Sequence, residues 1–400
     1  MARWFGITQP QLSRIENGSP TVHLDRLAAW AGLLGIPEHL LWFRLPASDT
    51  RTPGSRPLLQ PRPSVPAAGP PFALPQLPRD LVPAGTSDLA AVQSLRVADS
   101  QIGGGYLYAA VTGYLQHTVA PRLFGTAALT DEPAVFTAAA GLTEMAGWMA
   151  HDAGRDALAD QHFQRALGLA TAGKDHQLSG HILASLSHLA HHTKRSEQAI
   201  AYARQGHDRL QAGQPHPGVA AKLFAMQARG HAALGQADPC REQLRQAERV
   251  LGNTVAESGS PWVSQFDEAS LAAEAARCFR QLGQLDAARR QAEQVVELRP
   301  RERARSRAFA QLMLISILIA QSRPDEACAV AYDVLDATRT LGSYLVVRQF
   351  EDMAERFAPY ERAREVAAFL DCLREELRER RWLAHWLPST DSHPNGVATQ

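Results

Sequence analysis

From about Ser87 onward, apolar residues return every three or four positions, with Ala, Arg, Glu and Gln filling the positions between them. This is the period of an α-helix that turns one face to a core. Gly or Pro marks the corners, and β-branched runs are rare. No stretch alternates apolar and polar residues as a half-buried strand does. Residues 87–388 are therefore expected to be all-α. Residues 1–45 carry shorter helical patterns separated by turn signals. Between the two, residues 46–86 hold eleven prolines. Proline lacks a backbone N–H and fixes φ, so this stretch is expected to be an extended linker. Residues 389–400 are polar with Pro and Gly and are expected to be a disordered tail.

The helical region repeats. Gly147 to Leu169 has a Gly, a turn at Gly154-Arg155-Asp156, and then Ala159, Phe163 and Ala166. The same frame returns with Ala199, Ala203 and Gly206, and with Gly235, Cys240, Leu244 and Ala247. It returns again with Gly283, Ala288, Ala292 and Val295, and with Ala327, Ala331 and Val334. Positions 159, 199, 240, 288 and 327 are spaced by 40, 41, 48 and 39. The pattern of small and aromatic positions resembles the tetratricopeptide repeat, in units longer than its usual 34 residues. The 48-residue spacing implies an extra loop around Glu257 to Pro261. Stacked helix pairs are expected to share a continuous core, because one pair cannot bury its apolar face alone.

In residues 4–18, Gly6 supplies a turn and Thr8 an N-cap. Gln11, three residues on, completes a capping box, and Pro10 falls in the first turn where its missing N–H costs nothing. Leu12 and Ile15 face inward. Gln9, Pro10, Ser13 and Arg14 share the opposite face, and Asn17-Gly18 ends the helix. Gln and Arg are the side chains that read adenine and guanine edges bidentately, and a helix N-terminus favours phosphate.

These residues, followed by the Leu24, Leu27, Ala31, Leu34 stripe and Ile36 to Phe43, resemble an XRE-type (Cro/CI, lambda repressor-like) helix-turn-helix domain over residues 2–43. Ile102 to Phe124 and Met145 to Leu167 are similar to actinobacterial regulators that join such a domain to tetratricopeptide-like repeats. The resemblance implies an all-α chain: a truncated helix-turn-helix (1–45), a Pro-rich linker (46–86), an α-solenoid (87–388) and a tail. It implies that Thr8, Gln9, Pro10, Gln11, Ser13, Arg14 and Asn17 meet operator DNA, Asn17 at phosphate, with affinity raised by homodimerisation. One departure stands out. The family's domain begins with a further helix ahead of the position of Ala2, and that helix covers Leu12 and Ile15. Two readings follow: a start assigned too late, or a degraded DNA reader whose repeats serve as a protein-interaction adaptor.

Placing Ala159 at repeat position 20 puts Glu144, Trp148 and His151 on the concave face of the solenoid. The next units add His181, His188 and His191, then Lys222 and Arg229, then Arg277 and Arg280. A wall that is aromatic at one end and basic at the other suits an acidic peptide, a carboxylate effector or a protein partner. His188 and His192 are one turn apart, yet no HExxH motif or carboxylate set accompanies them, so no metal and no cofactor is expected.

The remaining features change this picture little. The chain has 41 Lys plus Arg and 41 Asp plus Glu, so no global charge advertises nucleic acid. Cys240, Cys278, Cys328 and Cys372 lack CxxC spacing and are expected to be reduced core thiols of a cytoplasmic protein. The apolar run Leu312–Ala320 is far too short to span a bilayer. The five arginines between Arg299 and Arg307 are expected to be a solvated helix start. Gly103-Gly104-Gly105 is expected to be a tight corner. No G-x-S-x-G or metalloprotease signature occurs, and no enzyme activity is expected.

Overall fold

The computed structural model describes residues 86–385, apart from 105–106, 125–132, 215, 253–258, 301–302 and 340. Thr8, Gln9, Pro10, Gln11, Ser13, Arg14 and Asn17, the linker up to Gly85 and the tail lie outside the described residues.

The described regular structure is helical throughout. Helix α1 spans Asp88–Ile102 and is capped by Ser87, whose hydroxyl accepts from the Ala90 amide. Helix α2 (Tyr108–Tyr114) runs through a π-turn, Leu115–Val119, into α3 (Ala120–Phe124). Five hairpins follow. They are α4 (Pro133–Asp152) with α5 (Asp156–Ala172), α6 (His176–His192) with α7 (Ser196–Gln211), and α8 (Pro217–Ala233) with α9 (Ala237–Gly252). Then come α10 (Glu268–Gln281) with α11 (Leu285–Leu298), and α12 (Ala304–Ala320) with α13 (Pro324–Ala337). A sixth hairpin, α14 (Tyr344–Phe357) and α15 (Arg364–His385), lies beyond the frame read from the sequence.

One corner recurs. Residues 153–155, 173–175, 193–195, 234–236, 282–284 and 321–323 each separate two helices. The middle residue is left-handed every time: Gly154, Lys174, Lys194, Gly235, Gly283 and Ser322, with φ between 55° and 76°. The next amide reaches back five residues to a carbonyl at 2.7–3.1 Å, for example Arg155 to Ala150. This satisfies carbonyls that a helix end leaves open. Five residues beyond the left-handed position in each pair lies a small residue: Ala159, Ala199, Cys240, Ala288 or Ala327. All five are fully buried. Small side chains there let the paired helices approach. At Gly147 the approach is close too, and a Cβ would fall 2.5 Å from the Phe163 ring.

The first helices of successive pairs, α4, α6, α8, α10 and α12, pack side by side, and α14 continues the row. The described residues thus form a tetratricopeptide-like α-solenoid. Its curvature brings α12 back onto α1. There Arg305 donates to Asp99 Oδ2 at 2.6 Å and to Asp152 Oδ2 at 3.3 Å. The Gly342 amide donates to the Ile102 carbonyl at 2.7 Å, and Ser343 Oγ to Asp152 Oδ1 at 2.6 Å. Gly103 at this seam has φ +87°, and a Cβ on it would lie 2.8 Å from the Gly342 carbonyl oxygen. The corner there belongs to glycine for both reasons.

The seam corrects one expectation. Of the arginines between Arg299 and Arg307, Arg299, Arg305 and Arg307 are not part of a solvated helix start; Arg303 is exposed as expected, and Arg301 lies outside the described residues. Besides Arg305, Arg299 is 8% exposed and grips Asp267 through two bonds of 2.7 Å. Arg307 donates to the carbonyls of Val296 and Arg299. Guanidinium groups here tie helix ends together.

The extra loop after α9 crosses to earlier repeats. Trp262 fits against Gly141 of α4, where a Cβ would meet its ring at 2.8 Å. Arg96 donates to the Trp262 carbonyl. Ser260 bonds Gln177 through its amide at 2.6 Å and Asp175 through its hydroxyl at 2.9 Å.

Candidate ligand-binding groove

The helices α4, α6, α8 and α10 present their groove positions in register, so that each repeat touches the next. The Trp148 ring stands edge-on to His188 with centroids 4.9 Å apart. Its Nε1 donates to Glu144 Oε1 at 2.7 Å, and Glu144 also accepts from Ser185 of the next repeat at 2.8 Å. Lys222 of the third repeat lies over the Trp148 ring, 5.8 Å from its centroid, within cation–π range. Arg229 donates to His188 Nδ1 at 3.2 Å and lies 3.3 Å from Glu274 of the fourth repeat. Arg277 donates to the other Glu274 oxygen at 2.9 Å.

Hydrogen-bond bookkeeping fixes the histidine tautomers. Arginine can only donate, so His188 Nδ1 accepts and its proton sits on Nε2. His191 Nε2 lies 2.8 Å from the Met226 carbonyl, so Nε2 carries the proton there. Burial first, and then the neighbouring Arg229 charge, push the His188 imidazole well below its usual range, and push His191 down to about 4. Both are neutral near pH 7.

Three of the residues assigned to the concave wall are poorly available to a ligand: Glu144, 3% exposed and bonded to Trp148 and Ser185, and the two histidines His181 and His151. His181 is 1% exposed, covered by Ser264 of the extra loop, whose hydroxyl lies 3.1 Å from Nε2. His151 is 2% exposed and bonded to Asp156 Oδ1 at 2.7 Å. The extra loop is the reason for the burial of His181. No local pattern in α6 foretells that a segment some eighty residues later will lie on it.

The basic end is different. His191, Arg229, Arg277, Arg280 and Arg356 converge on one cavity of about 270 Å3, with Gln349 and Asp352 on its far side. Arg356, Gln349 and Asp352 come from α14, outside the frame read from the sequence. Their spacing (349, 352, 356) is that of one helical face and was the available signal. Beneath the cavity floor sits Glu274. Burial works to raise its carboxyl, but Arg277 and Arg229 outweigh burial and hold it below its usual range. Glu274 is thereby occupied by Arg229 and Arg277. Among the described residues, Arg280 and Arg356 make no hydrogen bond or ion pair, and Arg280 Nε is buried without a partner. Burial, and then the charges of Arg356 and Arg277, lower the Arg280 pKa. Two guanidinium groups thus face one cavity, alongside Asp352, without an ion pair among the described residues.

Fold and groove together define a helical-repeat protein of the tetratricopeptide-like class with an arginine-lined recess. No family model and no curated protein matches the chain. Among solved structures it is similar to the crystal structure of BtubC from P. vanneervenii, with 14% identity over 59% of this chain and 89% of that one, at a TM-score of 0.39. It is also similar to the TPR domain of P58(IPK), with 13% identity over 73% of this chain and 94% of that one, at a TM-score of 0.19. No helix among the described residues is long and apolar enough to cross a membrane.

Proposed function

We propose that this chain is a DNA-reading regulator whose repeat domain captures an acidic peptide segment in its groove. One observation carries the groove half: the unpaired Arg280 and Arg356 beside Arg229 and Arg277 in a single recess. Guanidinium forks match carboxylates bidentately and lose little in doing so. A cavity of about 270 Å3 takes one or two carboxylate side chains of a peptide rather than a whole cofactor. The half-buried Trp148 and the Lys222 ammonium above it extend the wall toward the other end, where an extended peptide would run.

A fluorescein-labelled hexaglutamate peptide, titrated into the full chain, tests this. Binding should weaken steeply with salt and fall at least tenfold in Arg280→Glu and in Arg356→Glu. Equal binding by both variants would remove the reading.

The DNA half rests on the resemblance of residues 2–43, with Gln9, Pro10, Ser13 and Arg14 reading the major groove of a two-fold operator as a homodimer. Arg14→Ala should relax specificity at one base pair, at a cost of roughly 1–3 kcal/mol in a salt-controlled binding assay. A chain that binds no DNA but holds the peptide would be a repeat-based adaptor with an inert DNA-binding remnant.

A further inference from the structure

We propose a divalent transition-metal site formed by His151, Asp156 and His192 at the edge of the groove, independent of what the groove binds. One ligand atom from each residue lies within 4.8 Å of the other two. His151 Nδ1 is 2.7 Å from Asp156 Oδ1, and His192 Nε2 is 3.5 Å from Asp156 Oδ2. The two imidazole rings stand nearly perpendicular, at 86°, with centroids 4.7 Å apart. Three helices deliver the set: the last turn of α4, the first residue of α5 and the last residue of α6. The recurring three-residue corner brings the first two together, and repeat stacking adds the third.

A comparison inside the molecule separates this cluster from an ordinary corner brace. At the corner after α8, His231 bonds Gln236 Oε1 at 2.6 Å with the same five-residue separation. Gln is a neutral and poor ligand, and no third donor is found there among the described residues. At the corner after α6, His191 is spent on the Met226 carbonyl. Among the described residues, only the first corner brings a carboxylate and two imidazoles within ligand distance of one another. His188, the other ring near His151, is not a candidate, because Arg229 occupies its Nδ1. Nor would His192 bring the ion into the core, since its side chain is 43% exposed. Two imidazoles and a carboxylate suit Zn2+ and its first-row neighbours better than Ca2+ or Mg2+, which prefer all-oxygen sets. Three protein ligands leave a tetrahedral ion one position open to water or to an incoming carboxylate.

The test uses the full chain, freed of metal by a chelator and then dialysed. Calorimetric titration with Zn2+ should show one tight equivalent, and Co2+ should give the intense visible bands of a four- or five-coordinate ion. His192→Ala, at an exposed position that leaves the core intact, should abolish the bands and weaken Zn2+ at least tenfold. Asp156→Asn, which can still accept a hydrogen bond from His151, should do the same. His231→Ala should change neither. If the unaltered chain gives no Co2+ bands, the proposal falls. It also falls if the Zn2+ equivalent survives unweakened in both ligand variants.

Discussion

Two arginine clusters lie on this molecule and have opposite characters. At the seam, Arg305 is answered by Asp99 and Asp152, and the same Asp152 also holds the Gly104 amide at 3.0 Å and the Ser343 hydroxyl. In the basic recess, Arg229 and Arg277 share Glu274, while Arg280 and Arg356 line the same cavity as Asp352 but make no ion pair among the described residues. The seam's charges are consumed in closing the fold. The recess holds charge that folding does not use, and such charge costs stability until an anion arrives. The matched guanidinium groups of the seam therefore serve the structure, and on the reading proposed above the unmatched pair in the recess serves a partner.

The largest effect is expected at the seam. Burial pushes the Asp99 carboxyl above its usual range, and Arg305 offsets this only in part. Arg305→Met would leave Asp99 and the 6%-exposed Asp152 without their cation. Removing one partner from such a set costs several kcal/mol. Because Arg305 keeps 24% of its side chain exposed, about 2–4 kcal/mol is expected in urea unfolding. A loss under about 0.5 kcal/mol would mean that the seam does not close the solenoid, and the contrast with the recess would vanish.

A middle-sized effect should appear with pH at the sealed end of the groove. His181 is held well below its usual range, first by burial and then by the charges of Lys222 on α8, Arg96 on α1 and His216. Glu144 on α4 faces it at 3.5 Å and works the other way. A depressed folded-state value means that the unfolded chain binds the proton first. The His181 contribution to stability is then full above about pH 6.5 and declines as the pH falls below it, by about 1.4 kcal/mol for each unit, until the folded form protonates; His188 and His191, also depressed, add to the same decline. Urea midpoints at pH 7 and pH 5.5 should differ accordingly, and His181→Gln should reduce that slope by the His181 share. An unchanged slope in the variant would place the acid sensitivity elsewhere.

These two regions were unequally legible in the sequence. The repeat frame was visible because each corner needs a left-handed residue and, five positions on, a small one. Gly154, Gly235 and Gly283 advertise this, whereas Lys174, Lys194 and Ser322 adopt the same conformation without advertising it. The groove register followed from that frame, so Trp148, His188, Lys222, Arg229, Arg277 and Arg280 could be assigned to one wall. The seam was not legible. Arg305 and Asp99 are 206 residues apart, and their pairing depends on how far the solenoid curls. That curvature is a sum of small packing angles, which no local pattern records. Arg356 was missed because α14 carries no repeat signature. The carboxylate beside His151 and His192 was missed because Asp156 resembles an ordinary helix-start acid.

The smallest effect on stability is expected in the recess. Replacing Arg280 and Arg356 together by Gln removes two like charges that make no ion pair among the described residues. It also keeps most of the side-chain packing along the α10 and α14 faces. The double variant should unfold within about 0.5 kcal/mol of the unaltered chain, or slightly later, because charges without partners contribute little to the fold and like-charge repulsion is relieved. The buried Arg280 Nε bears on the sign: a guanidinium nitrogen without a partner is a cost that Gln does not carry to the same degree. The same urea series, run beside Arg305→Met, makes the comparison direct. A loss in the double variant approaching that at the seam would show that the recess arginines hold the fold as Arg305 does. The unmatched charge would then have a structural use, and the acidic-peptide reading would lose the observation that carries it. Unchanged stability together with lost hexaglutamate binding would instead assign that charge to a partner.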